Sequence, residues 1–115
     1  MLYGRIPGVH QPVSRLVMGV DNQEDRAQAA AVFDDFVLYL MHRDNTDVPV
    51  GEFVDAMEEQ LAAGRVAAYG VSNWTLGRVE EAARYAAGNA KAGLSALSNH
   101  FSLAEAYDVP WAGCQ

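Results

Sequence analysis

The chain has 115 residues, 50% of them apolar, and 15 acidic against 8 basic side chains give it a net charge of -7. That length supports one domain with a real core but falls well short of the roughly 250 residues of an eight-stranded α/β barrel. The seven arginines and one lysine are scattered, so a phosphate backbone would meet mostly repulsion and nucleic acid is not an expected partner.

No run approaches the ~18 consecutive apolar residues of a membrane span, and Met1 to Arg5 lacks the basic-then-apolar layout of a signal peptide. The expectation is a cytoplasmic protein with no membrane partner. Cys114 has no second thiol for a disulfide or a metal site, and it reads as incidental.

In chain order, Tyr3 to Val20 holds a Pro7-Gly8 turn between short β-prone runs, which predicts a small hairpin leading into a buried strand. From Glu24 to Phe36, acids in the first turn and apolar residues at Ala29, Val32, Phe33 and Phe36 predict a helix. Phe36 then runs straight into Val37-Leu38-Tyr39-Leu40-Met41, without the loop of about 2–6 residues that normally returns a helix to a strand. Residues 37 to 42 fit a strand, and they also continue the helical spacing.

Asp44 to Asp47 is a polar loop, Pro49 suits a first helical turn, and Val50, Phe53, Val54, Met57 and Leu61 share one helix face that Gly64 terminates. Val66 to Val71 predicts a buried strand. Thr75 can cap a helix whose inner face is Leu76, Val79, Ala82, Ala83 and Ala86, ended by Gly88-Asn89. A strand at Leu94 to Leu97 and a short helical turn between Ser102 and Pro110 complete the expected elements.

Two apolar runs stop at polar residues one helix apart, the first at His42 and the second at Ser72-Asn73. In a βαβ pattern those ends point the same way, and that is where an α/β barrel keeps its chemistry. Other motifs fail on their own terms. His42-Arg43-Asp44 is followed by Pro49 where a kinase catalytic loop needs Asn, and His10, His42 and His100 are too dispersed for a metal site. Asp44 to Asp47 lacks the Gly and distal Glu of a calcium loop, and Glu58-Glu59 and Glu80-Glu81 read as solvated faces.

Leu38 to His42, followed one helix later by Gly70-Val71-Ser72-Asn73, resembles the aldo-keto reductase family, whose members are NADPH-dependent oxidoreductases on a (β/α)8 TIM barrel. The resemblance covers nearly the whole chain. It implies an α/β fold, a partial (β/α)8 barrel with an N-terminal β-hairpin and about half the strands. Residues 1–36 would hold the hairpin, first strand and first helix, and 37–115 a segment like the fourth to sixth strands. By the same resemblance His42 matches the catalytic histidine that donates to the substrate carbonyl oxygen. Ser72 and Asn73 match the pair that holds the nicotinamide carboxamide of NADP, and Ser98 stands where the family has a glutamine.

The family's remaining catalytic groups, an aspartate, a tyrosine and a lysine, come from strands that this chain skips between Phe36 and Val37. The same internal deletion explains the missing loop. The reading is therefore a reductase-family chain, shortened internally and at its C-terminus, that does not reduce carbonyls alone. Two alternatives stay open: a non-catalytic half barrel that self-associates through open sheet edges, and an unstable gene remnant.

Overall fold

The computed structural model describes residues 3–5, 9–14 and 37–99. The expected first strand, first helix and C-terminal turn lie outside the described residues, as do His100 and Cys114. Near the N-terminus, β1 (Tyr3–Gly4) pairs antiparallel with β2 (Val13–Ser14), which is the expected hairpin.

The rest is a three-stranded parallel sheet with two helices. Its elements run β3 (Leu38–Met41), α1 (Val50–Ala62), β4 (Ala68–Ser72), α2 (Leu76–Gly88) and β5 (Ala96–Ser98). Strand order in the sheet is the chain order, and Leu38 pairs with Ala68 and Gly70 with Ala96 in parallel register. Residues 38–41 are thus strand, not a continuation of the preceding helical pattern.

Helix α1 starts after Pro49, whose φ of -54° and ψ of 135° lead into the helix without a side-chain cap. It ends as the glycine signal predicts. Gly64 at φ 70° lets its own N–H reach the Leu61 carbonyl and the Arg65 N–H reach the Gln60 carbonyl, closing two otherwise orphaned acceptors. Helix α2 begins at Thr75, whose hydroxyl accepts the Arg78 N–H at 3.3 Å.

Helix α2 ends at Gly88 with Asn89 as its C-cap, where the sequence predicts; Ala90 then takes a left-handed turn at φ 54° while the Lys91 N–H closes on the Ala86 carbonyl. Two expectations shift. On α2, Leu76 is 63% exposed and Ala83 is exposed, so the inner face is Val79, Ala82 and Ala86 with Tyr85 beside them. The last strand begins at Ala96, not Leu94, because Leu94 turns into the core between the two apolar clusters.

The core lies between the sheet and the helices. Val50, Val54, Val71, Trp74, Ala82 and Ala86 form one cluster, Met57, Val66 and Tyr69 a second, and Met41 touches both. Phe53 meets the fully buried Trp74 ring edge-to-face with centroids 5.4 Å apart.

Strand β4 is the tightest element. Its Tyr69 and Val71 side chains go to the helix-covered clusters, and period-two alternation sends Ala68, Gly70 and Ser72 to the opposite face. At Gly70 that face has no room. A Cβ there would sit 2.3 Å from the Ala96 carbonyl oxygen and 2.8 Å from Leu40 Cδ2.

Glu58 is not the solvated acid its sequence position predicts. Its carboxylate accepts the Tyr69 hydroxyl at 2.9 Å and the Gly93 N–H at 3.1 Å, tying α1 to β4 and to the approach of β5. Burial and the adjacent Glu58 charge both push the Tyr69 phenol well above its ordinary pKa of 10.0, so it stays protonated.

Candidate functional site

The parallel register brings the C-terminal ends of three strands together. His42 follows the last residue of β3, Ser72 closes β4 with Asn73 after it, and Ser98 closes β5 opposite Ser72. All four residues singled out in the sequence therefore lie at one end of one sheet. His42 and Ser98 are exposed there, and Ser72 and Asn73 are half-buried.

Hydrogen bonds knit these ends into a unit. The Ser72 hydroxyl donates to the Ser98 carbonyl at 2.7 Å, and the Asn73 N–H donates to the same oxygen at 3.1 Å. The Asn73 side-chain amide donates to the His42 carbonyl at 3.2 Å and to Ser72 Oγ at 3.1 Å. Asn73 reaches both because its backbone is left-handed, φ 60°, a conformation asparagine tolerates better than most residues. Thr75 caps α2, and the Ser72-Asn73 pair before it ties strand to strand.

The chemistry follows from counting protons. Both hydrogens of the Asn73 amide and the Ser72 hydroxyl hydrogen are spent within the protein, so these groups present oxygen lone pairs to a ligand. Such acceptors suit an N–H-bearing group, for example a carboxamide. At Ser98 it is the main-chain oxygen that works; the bonds described for this residue do not use its hydroxyl.

Behind this end lies a second assembly that the sequence did not signal as functional. Arg78 in the first turn of α2 donates Nε–H to both Asp44 carboxylate oxygens, at 3.2 and 3.0 Å, and Nη2 donates to the Asn45 and Val48 carbonyls. Nη1 reaches Glu81 at 3.1 Å, and the guanidinium carbon lies 5.7 Å from the centroid of the Trp74 ring. The Asp44 side chain is 2% exposed and that of Arg78 11%. Burial opposes the Arg78 charge, but Asp44 and Glu81 outweigh it and hold the guanidinium more firmly protonated than usual.

One sequence signal did exist for that pair. A cation in the first turn of a helix opposes the helix dipole, so Arg78 needs a compensating anion from elsewhere in the fold. Beside it, the Asn99 side-chain amide donates to the Trp74 carbonyl at 3.0 Å. Trp74 Nε1 and Asn99 Oδ1 are buried with no hydrogen-bond partner.

Among the described residues no group of three His, Cys, Asp or Glu side chains lies close enough to hold a metal ion, and no helix is long and apolar enough to cross a membrane. Comparison with protein families matches residues 21–109 to the model of the aldo/keto reductase family. The chain belongs to the aldo/keto reductase family. This makes it a member, at family level, of an oxidoreductase group that generally binds NADP(H). The match runs through the strand-end cluster, including His42, Ser72, Asn73 and Ser98 of this aldo/keto reductase chain. A comparison with curated proteins found no match.

Proposed function

We propose that this chain is an aldo/keto reductase-type oxidoreductase unit, a partial (β/α)8 barrel whose strand-end cluster takes the nicotinamide end of NADP(H), and that it does not reduce carbonyls by itself. The observation that carries the reading is the convergence of His42, Ser72, Asn73 and Ser98 at one sheet end, with oxygen acceptors presented at Ser72 and Asn73. Those acceptors fit the amide hydrogens of a nicotinamide carboxamide. NADPH, when bound, supplies a hydride to a carbonyl carbon.

In this reading the His42 imidazole N–H donates to the carbonyl oxygen of a small substrate, where charge builds during reduction. A proton must also reach that oxygen. Among the described residues the tyrosines and the lysine are placed for other work. Tyr69 is fully buried and bonded to Glu58, Tyr85 is bonded to Asp55, Tyr39 lies within β3, Tyr3 lies in the separate N-terminal hairpin, and Lys91 pairs with Asp55. Among the described residues no tyrosine and lysine stand together at the ends of β3, β4 and β5 to act as the acid. That arrangement supports binding without turnover.

Scanning calorimetry with and without NADPH tests the reading, because a ligand that binds only the folded state raises the midpoint. Saturation at a hundredfold excess over Kd adds about 2.7 kcal/mol, a shift of about 10 °C for a domain this size. A transition that ignores NADPH refutes the cofactor reading. NADPH oxidation with an aldehyde, abolished by His42→Ala, refutes the claim of inactivity.

Association of copies through a sheet edge is the second reading. One observation favours it: Leu97, on the outermost described strand β5, is 45% exposed. The same calorimetry decides it, since a midpoint independent of protein concentration ends the idea.

A further inference from the structure

The loop that leaves β3 carries His42, and two side chains from beyond β4 anchor it. Asn73 bonds the His42 carbonyl, and Arg78 bonds Asp44, Asn45 and Val48. Only Arg43 lies between the two anchors. Within the loop the Val48 N–H closes on the Asn45 carbonyl at 3.1 Å and the Asp47 N–H on Asn45 Oδ1 at 3.1 Å. The guanidinium braces this turn from the side of α2.

We infer that Arg78 and Asp44 are positioning residues for the strand-end site, a buried fork that sets where His42 stands relative to Asn73. The inference rests on the reading of that end as a cofactor and carbonyl site. Three features separate it from an ordinary stabilising ion pair. The planar guanidinium uses Nε for the carboxylate and Nη2 for two carbonyls of one loop, a pattern that an ammonium group does not reproduce. Trp74, over which the guanidinium lies, is the next residue after Asn73, so one anchor stands at the end of β4 and the other in the first turn of α2, five residues on. The pair is nearly dry, so solvent does not soften it.

A residue that merely stabilised the fold would lower the midpoint when altered and leave the folded site unchanged. A positioning residue alters the folded site itself. The test uses the full chain with Arg78→Lys, which keeps the charge and removes the fork, and Glu81→Gln, which removes only the exposed arm of the network. Two readouts are taken on folded protein: the His42 ring resonances by NMR and the NADPH dissociation constant by titration.

Arg78→Lys should move or broaden the His42 resonances and weaken NADPH about tenfold, while Glu81→Gln leaves both as in the parent. Asp44→Asn, which retains one acceptor and much of the shape, should move the His42 resonances in the same direction and stands in if Arg78→Lys does not fold. Unmoved His42 resonances in a folded variant overturn the inference. If the parent does not bind NADPH, the cofactor reading has failed and the resonances alone decide the positioning role.

Discussion

Gly70→Ala and Gly77→Ala are the same chemical change, and the structure gives them opposite signs. At Gly70 the added methyl would sit 2.3 Å from the Ala96 oxygen, 3.0 Å from the Ala96 carbonyl carbon and 2.8 Å from Leu40 Cδ2. Leu40 can swing aside, but the Ala96 carbonyl belongs to the backbone of β5. Restoring an ordinary contact requires β4 and β5 to part by roughly 1 Å. That movement stretches the bonds flanking the strand pair, from Ser95 N–H to the Tyr69 carbonyl at 2.8 Å and from Asn73 N–H to the Ser98 carbonyl at 3.1 Å. At about 1 kcal/mol for each weakened bond, with the strain of overpacking added, the cost comes to about 3 kcal/mol.

A methyl at Gly77, on helix α2, meets nothing within 4 Å. There the gain is the helix preference of alanine over glycine, about 0.5–1 kcal/mol. Urea denaturation of both variants, followed by circular dichroism, measures the difference of about 4 kcal/mol between them. Equal midpoints for the two variants would refute the close-packed picture of β4 against β5. A loss at Gly70 with an altered denaturant slope would show a changed denatured state instead.

Two further outcomes follow from local chemistry. Ala90 holds a left-handed backbone that costs an alanine about 1 kcal/mol or more, so Ala90→Gly should raise stability by several tenths of a kcal/mol or leave it level, read from the thermal midpoint; a clear loss would refute the strain argument. Lys91 foremost, with the Tyr85 hydroxyl, holds the Asp55 carboxyl below its ordinary pKa of 3.8 against a smaller opposing effect of burial. A depressed carboxyl contributes stability above about pH 4 and loses it as the pH falls through the lower folded value. Lys91→Met should therefore raise the Asp55 titration midpoint seen by carboxyl NMR and flatten the acid side of the stability curve, and an unmoved midpoint would refute the pairing.

The strands of the sheet were legible where apolar runs stop at polar residues, since both β3 and β4 end within one or two residues of His42 and Ser72. Both helices were legible from apolar spacing and their starts, because Pro49 and Thr75 act locally. Local chemistry also misled. Leu76 has the right spacing for the inner face of α2 but lies in its first turn, clear of the sheet. The strand-end residues were found because their register is fixed by βαβ geometry. Asp44 with Arg78, and Glu58 with Tyr69, were not found, because each joins elements whose contact exists only after folding.

Because strand order equals chain order, each strand of the parallel block lies beside the strands that precede and follow it in the gene. Such a sheet is cut and joined like a row of planks. Removing whole strand-helix units brings the flanking units edge to edge without rethreading any connection. Insertion and loss of units are thus changes of length at the level of architecture, and only the two units at the join meet a new neighbour.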